Sequence, residues 1–437
     1  MLYKQFQFTT GWFGRLMFKF DSKIDIRFDD VIGYDDQKIK LRQAISKILN
    51  NQESKPKGII IKGPAGTGKT FMAKAFIGET QMPYMIISGG EVRSVTDIKR
   101  IFSVARLKKS CIIFFDEFDA IDKNDNGEKI CAQFNFEMSK KDNILIVATT
   151  RKENIERSVK RLGRFDIKIE MYFPDVKERK EIIEYWCQKN EISTSEDSFM
   201  IAKKCFGKSF LEIIHIMDVA KDIMQKHNHN EITSHDFIMA IMMEEKGDVI
   251  KFQNLPEEIR VTAFHEAGHA LFAFYLEKER VREIAIIPFN DSRGHITTYP
   301  ISQSIKWTKE YLEFRIMLSL AGKASEEIFF GTSSDGAKGD LINAERLLRK
   351  YLVEYCFDDE LGIVPISSIN VSLLAGTDVN NQVLNRIKEL LNKFYEETKK
   401  IITEHKDMVT EMAEKLLEQK ILDEKEAYEI YDKYQSK

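Results

Sequence analysis

The sequence of 437 residues has a formal net charge of −3, with 43% hydrophobic and 31% charged residues. This length predicts two to four domains with a real core, and the charge argues against nucleic acid as the main partner. The five cysteines form no CxxC pair. That scatter is typical of reduced thiols inside a cell and excludes a disulfide framework.

The N-terminal segment, residues 1–27, is rich in aromatic residues and contains GWFGRLMFKF. Arg15 and Lys19 interrupt it, and no run approaches the ~18 apolar residues of a membrane-spanning helix. A secretory signal is not expected, because no cleavage site of small residues follows. We expect a short strand or hairpin packed on the body. The alternative is an interfacial anchor built on four aromatic side chains, Trp12, Phe13, Phe18 and Phe20.

Between about residues 28 and 174, apolar strands alternate with amphipathic helices. FDDVIGYDDQKIKLRQAISKIL predicts a turn and a helix, and GIIIKGPAGTGKTFMAKAF predicts a strand, a glycine loop and a helix. YMIISG, CIIFFDE and NILIVATT are short apolar runs bounded by polar residues, as buried parallel strands are. The alternation predicts a parallel sheet with crossover helices.

The strand signals stop near YFPDVKERKEIIEYW. Residues 176–247 predict helices only, with a break near CFGKSF, and residues 248–258 predict a polar link that contains Pro256. From residue 259 onward the pattern is mostly helical around one β-like stretch, REIAIIPFNDSRGHITTYP.

The segment GPAGTGKT matches the phosphate-binding loop at each fixed position. Backbone N–H groups of such a loop curl around a β-phosphate, Lys69 would reach the β- and γ-phosphate oxygens, and the Thr70 hydroxyl would bind Mg²⁺. The preceding apolar strand and the following helix are the expected context. The sequence therefore predicts an ATP site on the residues of this loop: Gly63, Pro64, Ala65, Gly66, Thr67, Gly68, Lys69 and Thr70.

Two further groups of charged residues accompany the loop. Asp116 and Glu117 end an apolar strand, where the first carboxylate would hold the Mg²⁺ shell and the second would orient the attacking water. A solvated turn is the alternative. Arg161 and Arg164, in KRLGRFD, are either surface charge or arginine fingers that reach the γ-phosphate of a neighbouring subunit in a ring.

FHEAGHAL places two histidines on one face of a helix, because residues four apart share a face. His265 and His269 could each give one imidazole nitrogen to a single Zn²⁺, and Glu266 beside them could act as general base. The alternative is a pair of ordinary helix histidines. Small Ala267 and Gly268, with apolar neighbours, instead predict a buried helix that another element approaches closely.

Catalytic zinc takes three protein ligands and keeps one position open. Side-chain chemistry leaves five candidates for the third ligand: His295, Glu326, Glu327, Asp335 and Asp340. His295 could only line the cleft, and Glu326 and Glu327 could form hydrogen bonds with the ligand side chains instead of binding the ion. Asp340 follows a glycine-rich loop that could fold back onto the first helix.

With both motifs in hand, the chain resembles the FtsH-type family of membrane-associated ATP-dependent zinc metalloproteases, an AAA+ module joined to an M41 peptidase. Ordered motifs from about Phe28 onward carry the resemblance: FDDVIGYDD, KPKGIIIKGPAGTGKTFMAKA, CIIFFDEFDAI, RLGRFD, FPDVKERKEII, FHEAGHAL, AGKASEEIFFG and GAKGDLINAERLLRKYL. The resemblance implies a multidomain α/β plus α fold. Its parts would be an N-terminal segment (1–27), an AAA+ P-loop α/β core with a parallel sheet (28–174), a helical lid (175–250) and a mainly helical zinc metallopeptidase domain (251–437).

The resemblance also assigns residues. By position in these motifs, the family's zinc ligands fall on His265, His269 and Asp340. Glu266 is the implied catalytic base, and the implied arginine fingers are Arg161 and Arg164. The implied cofactors are Zn²⁺ in the peptidase site and ATP with Mg²⁺ in the ATPase site.

Three departures from the family's pattern bear on function. This sequence offers none of the N-terminal transmembrane segments usual in the family, and Thr150 stands where the family has a sensor asparagine. The segment after IISGG is short and has no aromatic residue between Tyr84 and Phe102, where the family's pore loop grips substrate. Val92 and Val95 are its best apolar side chains. These departures predict slower ATP hydrolysis and weak unfolding of stable proteins.

We therefore expect a homohexameric, cytoplasmic, ATP-dependent zinc endopeptidase that acts on polypeptides and not on nucleic acid. Membrane contact is expected only through a partner or the N-terminal segment, which would place the chain at the cytoplasmic face of a membrane. One alternative is a peptidase whose ATPase is a regulatory switch, and the missing pore aromatic favours it over a full unfoldase. The other is a non-proteolytic AAA+ remodelling ATPase, against which the intact HExxH motif argues.

Overall fold

A computed structural model describes residues 20–21, 23–123, 126–151, 165–249, 255–289, 293–302, 306–362 and 378–435. Residues 1–19, which contain most of the predicted strand or hairpin and three residues of the alternative interfacial anchor (Trp12, Phe13 and Phe18), lie outside these ranges. The chain divides into two compact units, Met1–Tyr185 with Gly207–Ile214, and Trp186–Phe206 with His215–Lys437. The division into four parts implied by the family resemblance stays a prediction.

Five parallel strands form the sheet of the first unit. They are β1 (Gly58–Lys62), β2 (Tyr84–Ser88), β3 (Cys111–Asp116), β4 (Ile144–Thr150) and β5 (Ile167–Glu170). Their order across the sheet is β2–β3–β4–β1–β5, and every neighbouring pair is parallel. The predicted parallel sheet is confirmed. Because β3, β4 and β1 are adjacent, the residues after their carboxyl ends lie side by side.

Helices cover both faces of this sheet. They are α1 (Asp35–Leu49), α2 (Lys69–Thr80), α3 (Val95–Ala105) and α4 (Gly127–Met138). Ile59 and Ile61 of β1 belong to the apolar cluster that contains α1 and α2, whereas Ile60 belongs to the cluster that contains α3 and α4. The alternation follows from the pleat of the strand, which sends successive side chains to opposite faces.

Four helices follow the sheet. They are α5 (Val176–Asn190), α6 (Ser198–Lys204), α7 (Phe210–Lys226) and α8 (Ser234–Lys246). The helical character predicted for residues 176–247 is confirmed, and the break near CFGKSF separates α6 from α7. α8 begins with a capping box in which the Thr233 hydroxyl and the Asp236 carboxylate exchange hydrogen bonds with each other's backbone N–H groups.

The remainder of the second unit is helical around a small antiparallel sheet. Its helices are α9 (Pro256–Phe274), α10 (Lys309–Phe330), α11 (Lys338–Arg349), α12 (Asp378–Glu404), α13 (Lys406–Gln419) and α14 (Glu424–Gln435). Its strands are β6 (Glu279–Ala285), β7 (His295–Pro300) and β8 (Ile421–Asp423), in the order β7–β6–β8. The strand β8 was not predicted, and Pro256 is the first residue of α9 rather than part of a polar link.

Helices α9 and α10 pack closely where α9 carries small residues. A Cβ atom added to Gly268 would lie 2.6 Å from the Ser325 Cβ and 2.8 Å from the Ala321 carbonyl oxygen. Every residue of α9 from Ala263 to Phe274 is buried. The buried, closely approached helix predicted from these small residues is confirmed. Among the helices that the structure describes, none combines the length and hydropathy needed to cross a membrane.

Candidate functional site

The phosphate-binding loop lies between β1 and α2, as predicted. Gly66 and Gly68 adopt φ values of +74° and +83°, which glycine reaches without a Cβ penalty. The Lys69 ammonium donates to the Pro64 carbonyl oxygen at 2.5 Å, across the mouth of the loop. Burial and, second to burial, the positive charge of Arg151 lower the pKa of Lys69. The negative charge of an anion bound in this loop would raise that pKa again.

The acidic pair at the end of β3 lies against the loop. The Thr70 hydroxyl donates to the Asp116 carboxylate at 3.0 Å, so the two predicted Mg²⁺-shell residues are neighbours. Thr149 of β4 was missed by the sequence analysis. Its hydroxyl donates to Asp116 and accepts from the Glu117 backbone N–H at 3.0 Å. The pairing of β3 with β4 brings this hydroxyl to the acidic pair.

Two other predicted ATPase residues have different surroundings. The Thr150 hydroxyl donates to Asp119 at 3.1 Å. Its neighbour in β4, Thr149, donates to Asp116 instead, because adjacent residues of a strand face opposite sides of the sheet. The Glu117 carboxylate forms an ion pair with Arg151. Arg161 and Arg164 lie outside the described residues, so their roles stay predictions.

The short segment after β2 offers less to a substrate than its sequence suggested. Val92 is 0% exposed and belongs to the apolar core beneath α3. Val95, in the first turn of α3, is only partly exposed. Phe102 is buried, as expected for a core residue of its helix. In this structure Val92 is therefore not available to contact a polypeptide.

Three of the predicted metal-site residues converge in the second unit. The Nε2 atoms of His265 and His269 are 3.0 Å apart, and the Asp340 Oδ2 atom lies 3.1 Å from the first and 3.3 Å from the second. A tetrahedral zinc ion with ligand distances of about 2.0–2.2 Å keeps its ligand atoms roughly 3.3 Å apart. The three atoms therefore have the spacing of a zinc ligand set, and together they could hold one ion.

The Nδ1 atoms of the two imidazoles, which face away from the cluster of ligand atoms, contact oxygen atoms of α10. His265 Nδ1 lies 2.7 Å from Glu326 Oε1, and His269 Nδ1 lies 2.6 Å from the Leu318 carbonyl oxygen. Such contacts fix the tautomer and ring orientation of metal-binding histidines. Among the candidates for the third ligand, Glu326 thus faces the opposite nitrogen, and Glu327 pairs with Lys323 at 2.5 Å. Asp340 is the candidate beside both Nε2 atoms.

The electrostatics of this cluster suit a cation. Although burial by itself lowers the pKa of His265, hydrogen bonds with Asp340 and Glu326 raise it to about 10. Burial raises the pKa of Asp340, but its contacts with the two histidines outweigh that effect and hold the pKa well below its usual range. The carboxylates around the imidazoles supply negative charge that a divalent ion would balance.

Glu266 lies on the same cleft and is almost completely buried. Its side chain packs against Gly294, where an added Cβ would lie 2.7 Å from the Glu266 Oε1 atom. Burial raises the pKa of the Glu266 carboxyl. The cleft has a volume of about 960 Å³ and is also lined by His295 and Ile296 of β7, which lies at the edge of its three-stranded sheet.

Gly322 of α10 leaves the space that an ion would need. A Cβ at this position would lie 2.3 Å from His265 Nε2 and 2.6 Å from His269 Nε2.

We expect Gly322→Ala to weaken zinc binding by at least about tenfold, as other changes around metal ligands do. Zinc content per chain after dialysis measures this. Gly339→Ala is the matched control, since a Cβ there meets nothing within 4 Å, and equal zinc content in both variants would contradict the expectation.

Comparisons with known proteins match both halves of the chain. The profile of peptidase family M41 matches residues 254–430. The profile of the ATPase family associated with various cellular activities (AAA) matches residues 59–173. These ranges contain the histidine–aspartate cluster and the phosphate-binding loop, respectively. The first match implies Zn²⁺ and the second implies ATP with Mg²⁺.

Relatives extend over most of this chain. The ATP-dependent zinc metalloprotease FtsH 1 of Methylacidiphilum infernorum is 31% identical over 371 residues, 78% of this chain and 58% of the relative. FtsH of Thermus thermophilus is 29% identical over 83% of this chain and 63% of the relative. The mouse mitochondrial inner membrane m-AAA protease component AFG3L2 is 30% identical over 78% of this chain and 46% of the relative. The chain thus spans less than two thirds of the length of each relative. Over that part it is similar to the FtsH-type ATP-dependent zinc metalloproteases, with an AAA segment followed by a peptidase M41 segment.

Proposed function

We propose that this chain is an ATP-dependent zinc metalloendopeptidase that acts on polypeptides. The observation that carries the proposal is the convergence of His265, His269 and Asp340 beside the buried Glu266. The nucleotide loop and its acidic pair, joined in the same chain, support the ATP-dependent part of the proposal.

In the peptidase site, His265, His269 and Asp340 would hold Zn²⁺, which when bound supplies a Lewis acid. Glu266 would act as general base and then return the proton to the leaving amine. Glu326 would keep the His265 ring in the orientation that presents Nε2 to the ion. The edge strand β7 would hold an extended substrate as an added strand.

In the ATPase site, Lys69 would bind the β- and γ-phosphates, and Thr70 and Asp116 would share the Mg²⁺ shell. Glu117 would orient the attacking water, and this role requires that it leave Arg151, with which it is paired in this structure. Thr149 joins Asp116 and Glu117 through its hydroxyl, which supports a positioning role for it. Thr150 would act on that water through Asp119, to which its hydroxyl donates.

Arg161 and Arg164 are proposed as arginine fingers. Because that role requires a neighbouring subunit in a ring, we propose a homohexamer. We propose no nucleic acid partner. We propose a cytoplasmic location or a peripheral one at the cytoplasmic face of a membrane. The buried Val92 and the lack of an aromatic residue between Tyr84 and Phe102 support weak unfolding of stable substrates. The same two observations favour a second candidate function, a peptidase whose ATPase is a regulatory switch.

Degradation of matched folded and unfolded substrates separates these functions. We expect an unstructured protein to be degraded rapidly with ATP, slowly without it, and not at all after zinc is chelated. A stably folded domain carrying the same unstructured tail should be degraded far more slowly. If a non-hydrolysable ATP analogue supports degradation as well as ATP does, the ATPase is a switch. If chelation leaves the cleavage of both substrates unchanged, the zinc peptidase proposal is wrong.

A further inference from the structure

A second group of metal-ligating side chains lies in the second unit, away from α9. His227 and His229 belong to the connection between α7 and α8, and Asp236 lies in the first turn of α8. Their ligand atoms all lie within 4.8 Å of one another. Neither the zinc-peptidase reaction nor ATP hydrolysis uses these residues.

The Asp236 carboxylate is shared between the helix cap and the two histidines. Its Oδ2 atom accepts from the Thr233 backbone N–H at 3.0 Å and hydroxyl at 2.7 Å, and lies 2.7 Å from His229 Nδ1. Its Oδ1 atom faces His227 Nδ1 at 3.3 Å. The side chain is only 2% exposed, whereas the His227 and His229 side chains are 52% and 39% exposed.

The capping role of Asp236 needs the Oδ2 atom and leaves the two imidazoles unexplained. A buried carboxylate with two imidazole nitrogens turned toward it is a His₂Asp donor set. Imidazole nitrogens suit zinc and its neighbours in the first transition row, whereas Mg²⁺ and Ca²⁺ prefer oxygen ligands.

We propose that His227, His229 and Asp236 form a second zinc site, which fastens the connection after α7 to the first turn of α8. The exposed faces of the two imidazoles leave the remaining coordination positions to water. The site is independent of the peptidase function.

Another histidine–carboxylate group in the second unit has a weaker donor set. His235 Nε2 lies 3.1 Å from Glu426 Oε2, and Asp423 completes the group. Asp423 and Glu426 accept hydrogen bonds from each other's backbone N–H groups at 2.9 and 3.0 Å. This group therefore offers one imidazole, and its carboxylates already satisfy the backbone at the start of α14.

Zinc titration of the full chain tests the proposal. With ZnCl₂ in slight excess followed by dialysis, we expect two zinc ions per wild-type chain and one per chain in the His227→Ala/His229→Ala double variant. Asp236→Asn retains a side-chain oxygen for the helix cap, and we expect it to weaken this second zinc by at least about tenfold. His215→Ala is the matched control, because His215 also faces a single carboxylate, Glu244, at 2.5 Å, and it should retain both ions.

The peptidase ligands are tested separately in the same assay. His265→Ala/His269→Ala should keep one zinc, and removing all four histidines should leave none. Equal zinc content in the wild type and the His227→Ala/His229→Ala variant would overturn the second site, as would a second zinc held only at millimolar concentration. A chain that loses zinc with His227 and His229 but not with His265 and His269 would support this site while contradicting the proposed function.

Discussion

Glu266→Gln should lower the rate of polypeptide cleavage by about 10²- to 10⁴-fold, the range typical of a lost general base. The amide has nearly the shape of the carboxylate, so the packing of Glu266 against Gly294 is retained. It has no lone pair basic enough to take a proton from water. Zinc content and ATP hydrolysis should therefore stay at wild-type levels, and cleavage of an unstructured protein measures the loss.

The control for Glu266→Gln is Glu257→Gln, an exposed residue in the first turn of the same helix. That change should leave cleavage unaffected. Wild-type cleavage by Glu266→Gln at full zinc content would remove Glu266 from the role of base. A loss of both zinc and cleavage would instead mean that Glu266 maintains the metal cluster.

Lys69→Ala should lower ATP hydrolysis by at least about a hundredfold, as the loss of a group that stabilises transition-state charge does. Lys69 is the loop's charged donor, and its contact with the Pro64 carbonyl shows that the side chain lies over the loop. No other side chain of GPAGTGKT carries a positive charge. Steady-state phosphate release measures the effect, and nucleotide affinity should fall with it.

Short peptides separate the two halves of the chain in the Lys69→Ala variant. Cleavage of a peptide that reaches the cleft unaided should be retained, because Lys69 lies in the first compact unit and the cleft in the second. Lys74→Ala, a partly exposed lysine later in α2, is the control for the change of charge. Wild-type ATP hydrolysis by Lys69→Ala would contradict the assignment of the loop.

Local spacing predicted the parts of each site that lie within one element. The HExxH pair requires only a helix, because residues four apart share a face, and the phosphate loop requires only a strand and a helix on either side. The sequence also predicted the strands β1 to β4, whose apolar runs are continuous. Residues that meet only after folding were harder to predict.

The third member of the metal cluster shows this limit. Side-chain chemistry left five candidates, and only the return of the chain at the start of α11 brings Asp340 to the Nε2 atoms. Thr149 was missed because its role depends on the pairing of β3 with β4. The three residues of β8 are too few to show a period. Val92 looked available because a short loop sequence does not reveal which side chain enters the core.

The most direct test of the central claim is an anomalous diffraction measurement at the zinc absorption edge on crystals of the zinc-loaded chain. We predict an anomalous peak within about 2.0–2.2 Å of His265 Nε2, His269 Nε2 and an Asp340 carboxylate oxygen. A map without a peak there would contradict the assignment of this cluster as the peptidase centre. A peak that lies beside Glu326 or Glu327 in place of Asp340 would contradict it as well.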